Sequence, residues 1–195
     1  LIQHLGLDYR GVPMDTARAL KVPVCATPLI NYIAVAEHAW AMLLNHYKQM
    51  QQQRIQMQQQ LYLERGWGAT VPSVRIVQDY TLGLLGFGEI ARPMARYAQA
   101  FAMKAIYWDV VRFPELEADY HIEYVEWDEL FRRSDVLSVH IPIKPETEKI
   151  IGKREIGLMK PDAFFINTAR GPVVDEAALA AAMAGKREQA DRPAR

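Results

Sequence analysis

Two glycines and an alanine stand where a phosphate-binding turn needs them. Gly86, Gly88 and Ala91 fit the G-x-G-x-x-G/A spacing within TLGLLGFGEIARPMARYAQAF, residues 81–101. Glycine at 86 permits a tight turn, and glycine at 88 lets a pyrophosphate approach the backbone without meeting a Cβ atom. The helix expected to follow offers free N–H groups and a partial positive charge. The spacing predicts a dinucleotide site, and a glycine turn without a nucleotide is the alternative.

A carboxylate follows at the place where such a site selects its cofactor. The apolar run KAIYWD, residues 104–109, ends at Asp109, 23 positions after Gly86. A carboxylate there accepts hydrogen bonds from the adenosine ribose hydroxyls and repels an added 2′-phosphate. Arg112 lies close enough in sequence to soften this preference. We therefore expect NAD as the cofactor, with NADP less favoured.

A lone cation follows the last apolar run of the chain. FFINTARGPVVDEAAL, residues 164–179, carries Arg170 shortly after two aromatic residues and an isoleucine. A planar guanidinium can make paired hydrogen bonds to a carboxylate. Taken alone, an arginine after a strand is more often a surface ion-pair partner. The residues by themselves leave both roles open.

Short apolar runs alternate with helical segments, and this alternation must position those groups. It predicts an α/β protein with a Rossmann-like, doubly wound parallel sheet, whose ligands bind at the carboxyl ends of the strands. The strands are expected at residues 1–6, 22–27, 81–86, 104–109, 135–140 and 163–168. The helices are expected at residues 14–21, 33 to about 64, 89–102, 127–133, 153–159 and 175–184.

Two residues are expected to shape the predicted helices, one as an N-cap and one as a bend. Asp175 opens the last predicted helix and is expected to be its N-cap, because its side chain can accept hydrogen bonds from unpaired N–H groups. Pro93 lies inside the predicted helix 89–102, where beyond the first turn a proline removes a backbone hydrogen bond and bends the helix.

Glutamine dominates the segment 48–67, KQMQQQRIQMQQQLYLERGW. Glutamine is a good helix former, so we expect a long helix that ends near Gly66. Such a helix bridges two domains or packs on a partner subunit, and an aggregation-prone polar tract is the less favoured alternative.

The composition excludes several classes of function. Lys and Arg total 23, as do Asp and Glu, so the net charge is zero and no basic field is available for nucleic acid. No apolar stretch approaches the roughly 18 residues of a membrane helix. The single Cys25 forms no internal disulfide, is expected to be a small core residue, and suits a reducing cytoplasm. No cluster of Cys or His has metal-ligand spacing, so no metal is expected.

Three stretches in order resemble one known family. The stretches are residues 27–39 (TPLINYIAVAEHA), residues 81–109 and residues 134–179 (SDVLSVHIPIKPETEKIIGKREIGLMKPDAFFINTARGPVVDEAAL). They resemble the NAD-binding domain of the D-isomer-specific 2-hydroxy acid dehydrogenases. The resemblance implies a Rossmann-like cofactor domain inserted into a flavodoxin-like substrate domain. On this sequence it implies a remnant of the substrate domain at 1–26, the NAD-binding domain at 27–187, and a disordered tail at 188–195.

The resemblance also implies an activity and roles for residues. The activity is NAD-dependent oxidation of the CH–OH group of a small D-2-hydroxy acid, with hydride passing between its C2 atom and the nicotinamide, in a homodimer. Arg170 orients the substrate, and Asn31 approaches the nicotinamide or substrate unless it serves only a turn or helix cap. The cofactor-binding positions are Gly86, Gly88, Glu89, Ile90, Asp109, His140, Ile141, Pro142, Thr168 and Ala169.

Two catalytic groups of the family lie downstream of the arginine. They are a glutamate and an acid/base histidine, and neither motif occurs in these 195 residues. Losing a positioned acid/base costs about 10²- to 10⁴-fold in rate. We therefore expect a truncated chain that is a poor catalyst alone. The alternatives are a regulatory NAD-binding module like the related transcriptional corepressors, or a cofactor domain that catalyses nothing.

Overall fold

The computed structural model describes residues 1–5, 9, 11–27, 31–61 and 74–190. The chain divides into two compact units, Leu1–Ala34 and Val35–Arg195.

The first unit contains a small strand–helix–strand element. Strands β1 (Ile2–Leu5) and β2 (Val24–Thr27) pair in parallel, and helix α1 (Met14–Ala19) lies between them in sequence. Cys25 lies on β2 and is exposed, so the prediction that it is a core residue was wrong. The two four-residue strands and the six-residue helix offer too little apolar surface to bury the Cys25 side chain.

The second unit is built on a parallel sheet of five strands. Their order is β5-β4-β3-β6-β7, so the chain works outward from β3 in one direction and then returns to its other side. This confirms the predicted α/β class. The strands are β3 (Thr81–Leu85), β4 (Lys104–Trp108), β5 (Ile122–Tyr124), β6 (Val136–Val139) and β7 (Phe164–Asn167).

Helices precede, connect and follow these strands. They are α2 (Tyr32–Lys48), α3 (Met50–Gln58), α4 (Ala91–Ala100), α5 (Pro114–Tyr120), α6 (Trp127–Arg133), α7 (Lys153–Leu158) and α8 (Glu176–Ala190). Helix α4 begins later than predicted, so Pro93 lies in its first turn, where the N–H groups have no intrahelical partner. Asp175 Oδ1 accepts a 3.0 Å hydrogen bond from the Ala178 N–H, which confirms the predicted N-cap. Helix α8 continues past its predicted end at Ala184.

Apolar cores lie on both faces of the sheet. Alternate residues of a strand point to opposite faces, so Leu84 and Tyr107 enter one core while Leu85 and Ile106 enter the other. The doubly wound arrangement is thereby confirmed. The first core also holds Ala36, Trp40, Leu43 and Tyr47 of α2 and Met94 and Ala98 of α4. The second also holds Leu130 and Phe131 of α6, Ile151 and Val173.

The glutamine-rich helix is broken rather than continuous. Gln49 adopts the left-handed conformation, with φ 55° and ψ 33°, between α2 and α3. The Arg75 N–H donates to the Tyr47 carbonyl at 3.1 Å, and the Lys48 ammonium donates to the Arg75 carbonyl at 2.8 Å. A later segment therefore binds the chain where α2 ends, which the sequence pattern did not reveal. The predicted helix end near Gly66 lies outside the described residues.

None of the helices within the described ranges is long and apolar enough to cross a membrane.

Candidate functional site

The turn after β3 requires glycine at position 86. Gly86 has φ +91°, and a Cβ atom added to it would lie 3.0 Å from both the His140 carbonyl oxygen and the Ile141 Cγ2 atom. Its N–H donates to the Trp108 carbonyl at 2.8 Å. The turn is therefore held between the ends of β4 and β6, with no room for a side chain.

The space around Gly88 is open, whereas the space around Gly86 is filled. A Cβ atom added there would meet no heavy atom of the described residues within 4 Å, and both Gly88 and Glu89 are exposed. Glu89 and half-buried Ile90 lead directly into α4, whose first residue Ala91 is fully buried against the first core. Open space thus faces the N-terminus of a ten-residue helix, where N–H groups and the helix dipole favour an anion.

Asp109 directly follows β4 and is tied to the glycine turn. Its Oδ2 atom accepts a hydrogen bond from the Phe87 N–H at 2.7 Å, and its Oδ1 atom accepts one from the Val111 N–H at 3.3 Å. Two backbone donors thus hold the half-buried carboxylate beside the turn.

The segment after β6 carries an uncharged histidine. Both ring nitrogens of His140 are buried without a hydrogen-bond partner among the described residues, and burial lowers its pKa to about 4. Ile141 is buried beside Gly86. Pro142 is exposed, and its carbonyl accepts a hydrogen bond from the Thr147 hydroxyl at 2.7 Å.

The segment after β7 carries Arg170. Arg170 is exposed, and its Nη1 group donates to the Ala169 carbonyl at 2.7 Å. Thr168 lies two residues before it, and its buried Oγ1 atom has no hydrogen-bond partner in the part of the chain that the structure describes. Ala169 packs against the second core.

Asn167 was not predicted to belong to the site, yet it shapes this loop. Its Oδ1 atom accepts from the Ala169 N–H at 3.0 Å, and its Nδ2 group donates to the Arg170 carbonyl at 2.9 Å. Asparagine is known to bond the backbone two residues ahead in this way. An asparagine at the end of an apolar run was therefore the signal available in the sequence.

The predicted residues of the second unit meet at one edge of the sheet. Gly86, Asp109, His140 and Thr168 directly follow β3, β4, β6 and β7, and the strand order reverses between β3 and β6. Parallel α/β sheets bind ligands at such a switch point. Buried polar atoms without partners at His140 and Thr168, together with the open space at Gly88, fit a bound dinucleotide.

The remaining features are an exposed Asn31, a surface depression and the absence of a metal-binding cluster among the described residues. Asn31 is exposed directly before α2 and belongs to the first compact unit. A depression of about 460 Å³ lies at the opposite edge of the sheet, against Thr81, Lys104 and Ile122, which begin β3, β4 and β5. Within the described ranges, no group of three or more His, Cys, Asp or Glu residues could hold a metal ion.

The fold and the edge geometry define a Rossmann-type dinucleotide-binding domain. Residues 40–190 match the family model of the D-isomer specific 2-hydroxyacid dehydrogenase, NAD binding domain. The chain belongs to this family and carries its NAD-binding domain.

Named relatives agree with this assignment. The chain is 34% identical to the glyoxylate reductase of Thermococcus litoralis, covering 94% of this chain and 56% of the relative. It is 32% identical to the hydroxypyruvate reductase of Thermotoga maritima, covering 92% and 56%. A D-lactate dehydrogenase from Aquifex aeolicus, solved with NAD and lactic acid, superposes with a TM-score of 0.80 at 31% identity, covering 95% and 55%. The chain therefore spans about half the length of these relatives.

Proposed function

We propose that the chain supplies the NAD-binding part of an oxidoreductase that acts on the CH–OH group of a small D-2-hydroxy acid. The observation that carries the proposal is the meeting of the glycine turn, Asp109 and the Arg170 loop at the carboxyl ends of strands in one sheet. The relatives named above are reductases and dehydrogenases, which favours an enzyme over a regulatory module.

Each segment at this edge has a distinct proposed task toward the cofactor. The backbone N–H groups from Gly88 to Ile90 hold the pyrophosphate, and Asp109 accepts hydrogen bonds from the adenosine ribose. His140, Ile141 and Pro142 line the adenosine half, and Thr168 and Ala169 border the nicotinamide. When bound, NAD supplies the carbon that accepts or donates hydride.

His140 is proposed to line the site rather than to exchange the substrate proton. Burial lowers its pKa to about 4, so the ring is neutral near pH 7 and resists protonation. An efficient general acid/base has a pKa closer to the working pH.

Arg170 is proposed to orient the substrate. Arg170 is exposed, and the Asn167 side chain fixes its loop through hydrogen bonds to the Ala169 N–H and the Arg170 carbonyl. A guanidinium has five N–H donors, so its bond to the Ala169 carbonyl leaves others for the carboxylate and the reacting oxygen of a 2-hydroxy or 2-oxo acid. There it would also stabilise the charge that develops on that oxygen. Asn31 is proposed as a further contact to the nicotinamide or substrate.

Assembly and location complete the proposal. We propose a homodimer, because α2 and α3 expose Met42, Met50 and Met57. We propose that the protein is located in the cytoplasm, because a lone unpaired cysteine suits a reducing compartment.

The cofactor site is tested by Gly88→Asp. The new side chain brings bulk and negative charge to the open space that the pyrophosphate would fill, so NADH affinity should fall more than about tenfold in a fluorescence titration. Gly157→Asp is the matched control, because Gly157 on α7 also has nothing within 4 Å of an added Cβ atom. Equal NADH affinity in wild type and Gly88→Asp would contradict this placement of the cofactor.

The substrate role is tested by Arg170→Ala, with oxamate as an analogue of a 2-oxo acid. The variant should bind NADH nearly as wild type does, while oxamate binding to the NADH complex, measured by calorimetry, should weaken more than about tenfold. Arg132→Ala is the control, since Arg132 pairs with Asp128 and Glu129 within α6. Equal oxamate affinity in wild type and Arg170→Ala would remove Arg170 from the substrate site.

A further inference from the structure

The loop after β4 contains an arginine that is already paired. Arg112 Nε donates to Glu117 Oε1 at 2.7 Å, and Arg112 Nη2 donates to Glu117 Oε2 at 2.8 Å. The two groups thus form a bidentate fork between the loop and helix α5, in which the Glu117 side chain is 19% exposed. The guanidinium holds the pKa of the Glu117 carboxyl below its usual value, so the carboxyl stays charged near neutral pH.

Two tyrosines contact the fork, one fully buried and one half-buried. The hydroxyl of fully buried Tyr107 donates to Glu117 Oε1 at 3.1 Å and accepts from the Phe113 N–H at 2.9 Å. The Arg112 guanidinium carbon lies 5.4 Å from the centre of the Tyr124 ring. Exposed ion pairs are weak when both side chains are free to move, but here Glu117 is anchored to the sheet through Tyr107.

The fork is close in sequence to the carboxylate assigned to the ribose. Arg112 follows Asp109 by three residues, and Asp109 is held by the N–H groups of Phe87 and Val111. In dinucleotide sites, an arginine near this carboxylate accommodates the 2′-phosphate that distinguishes NADP from NAD. In this protein Glu117 occupies two donors of the Arg112 guanidinium and balances its charge.

We propose that Glu117 determines cofactor choice, by holding Arg112 away from the 2′-position so that Asp109 alone faces the ribose. This inference rests on the NAD site proposed above. Asp109 repels a 2′-phosphate directly, and Glu117 offsets the charge of the cation that would attract it and engages two of its donors. Selectivity for NAD then depends on two carboxylates, one on each side of Arg112 in sequence.

The test compares NADH and NADPH binding by fluorescence titration of the whole chain. In a chain carrying Asp109→Ser, adding Glu117→Ala should raise the affinity for NADPH relative to NADH about tenfold, because the freed guanidinium can bond the 2′-phosphate. Adding Arg112→Ala to that pair should cancel the gain. Glu117→Gln, which keeps a hydrogen-bond acceptor for Tyr107, should give a smaller gain in the same direction if Glu117→Ala does not fold.

Glu115→Gln in the same Asp109→Ser chain is the matched control, since Glu115 is an exposed carboxylate of the same helix with no ion pair in the described part of the chain. It should leave the NADPH to NADH ratio unchanged. The inference is overturned if the ratio is the same with and without Glu117, or if the gain persists after Arg112→Ala. Failure of wild type to bind NADH would instead overturn the proposed cofactor site, and this inference with it.

Discussion

His140 is held without charge inside the protein. Its ordinary pKa is 6.5, and burial lowers it to about 4. Between these two values the unfolded chain binds a proton that the folded protein excludes. The free energy of unfolding therefore carries a contribution from His140 that is complete above pH 6.5 and is lost as the pH falls toward 4.

His140→Asn should reduce the loss of stability on acidification. For a pKa of about 4, the His140 contribution should fall by about 2 kcal/mol between pH 7 and pH 5. Urea unfolding at both pH values measures this loss, which should be smaller in His140→Asn. Burial and Arg75 also lower the pKa of His46, so part of the pH dependence should remain. His121→Asn is the control at an exposed histidine, and a loss as large in His140→Asn as in wild type would contradict the prediction.

The spacing of residues along the sequence predicted where a residue lies in the fold when the backbone alone sets its position. Gly86 and Asp109 are the last residues of two predicted strands, so their meeting at one edge of the sheet followed from counting. The tasks of Asn167 and Glu117 depend on how two loops close, through contacts to Arg170 and Arg112. Spacing carries no information about such closure.

Strand β3 packs unusually close to the end of helix α6. A Cβ atom added to Gly83 would lie 1.8 Å from the Ser134 Oγ atom, and that hydroxyl donates to the Leu130 carbonyl at 2.5 Å. Ser134 cannot give way without losing this bond, and it is fully buried. Glycine at 83 therefore sets the distance between the sheet and α6.

Gly83→Ala should destabilise the protein by about 1–3 kcal/mol, as overpacking of a core does. Urea unfolding gives the free energy. Gly157→Ala is the control, because it places the same methyl group in open space on a helix and should not destabilise. Removing the obstructing side chain with Ser134→Gly should recover part of the loss in the Gly83→Ala chain. Wild-type stability of Gly83→Ala would show that the sheet and α6 can separate freely.

The four strands that the sequence predicted in the second unit each carry buried apolar residues. β3, β4, β6 and β7 lie within one residue of their predicted bounds, because each is an apolar run. Helix α5 has no fully buried residue and β5 has three residues, so neither shows a periodic pattern. The break at Gln49 lies beside the contacts of Tyr47 and Lys48 with Arg75, a residue distant in sequence that a local pattern does not include.

An apolar surface on α2 and α3 bears on the assembly of the whole molecule. Met50 and Met57 are 47% and 48% exposed, and they lie two turns apart on one face of α3. Met50→Glu with Met57→Glu should shift the proposed homodimer toward monomer in sedimentation velocity, because charges would enter the interface. Met183→Glu on α8, where the methionine is 55% exposed, is the control. An unchanged sedimentation coefficient in the double variant would place any dimer contact elsewhere.

The contacts of α2 also set the order in which the chain can fold. Tyr47 donates to the Asp135 carbonyl 88 residues later, and the His46 ring stacks on Phe164 at 4.1 Å. At about 5–20 residues per second, a ribosome needs roughly 6–24 s to reach Phe164 after making His46. During that interval the sheet that covers Trp40 and Leu43 is incomplete. Folding of this unit should therefore be slow and late, with an apolar helix exposed to chaperones until β7 is added.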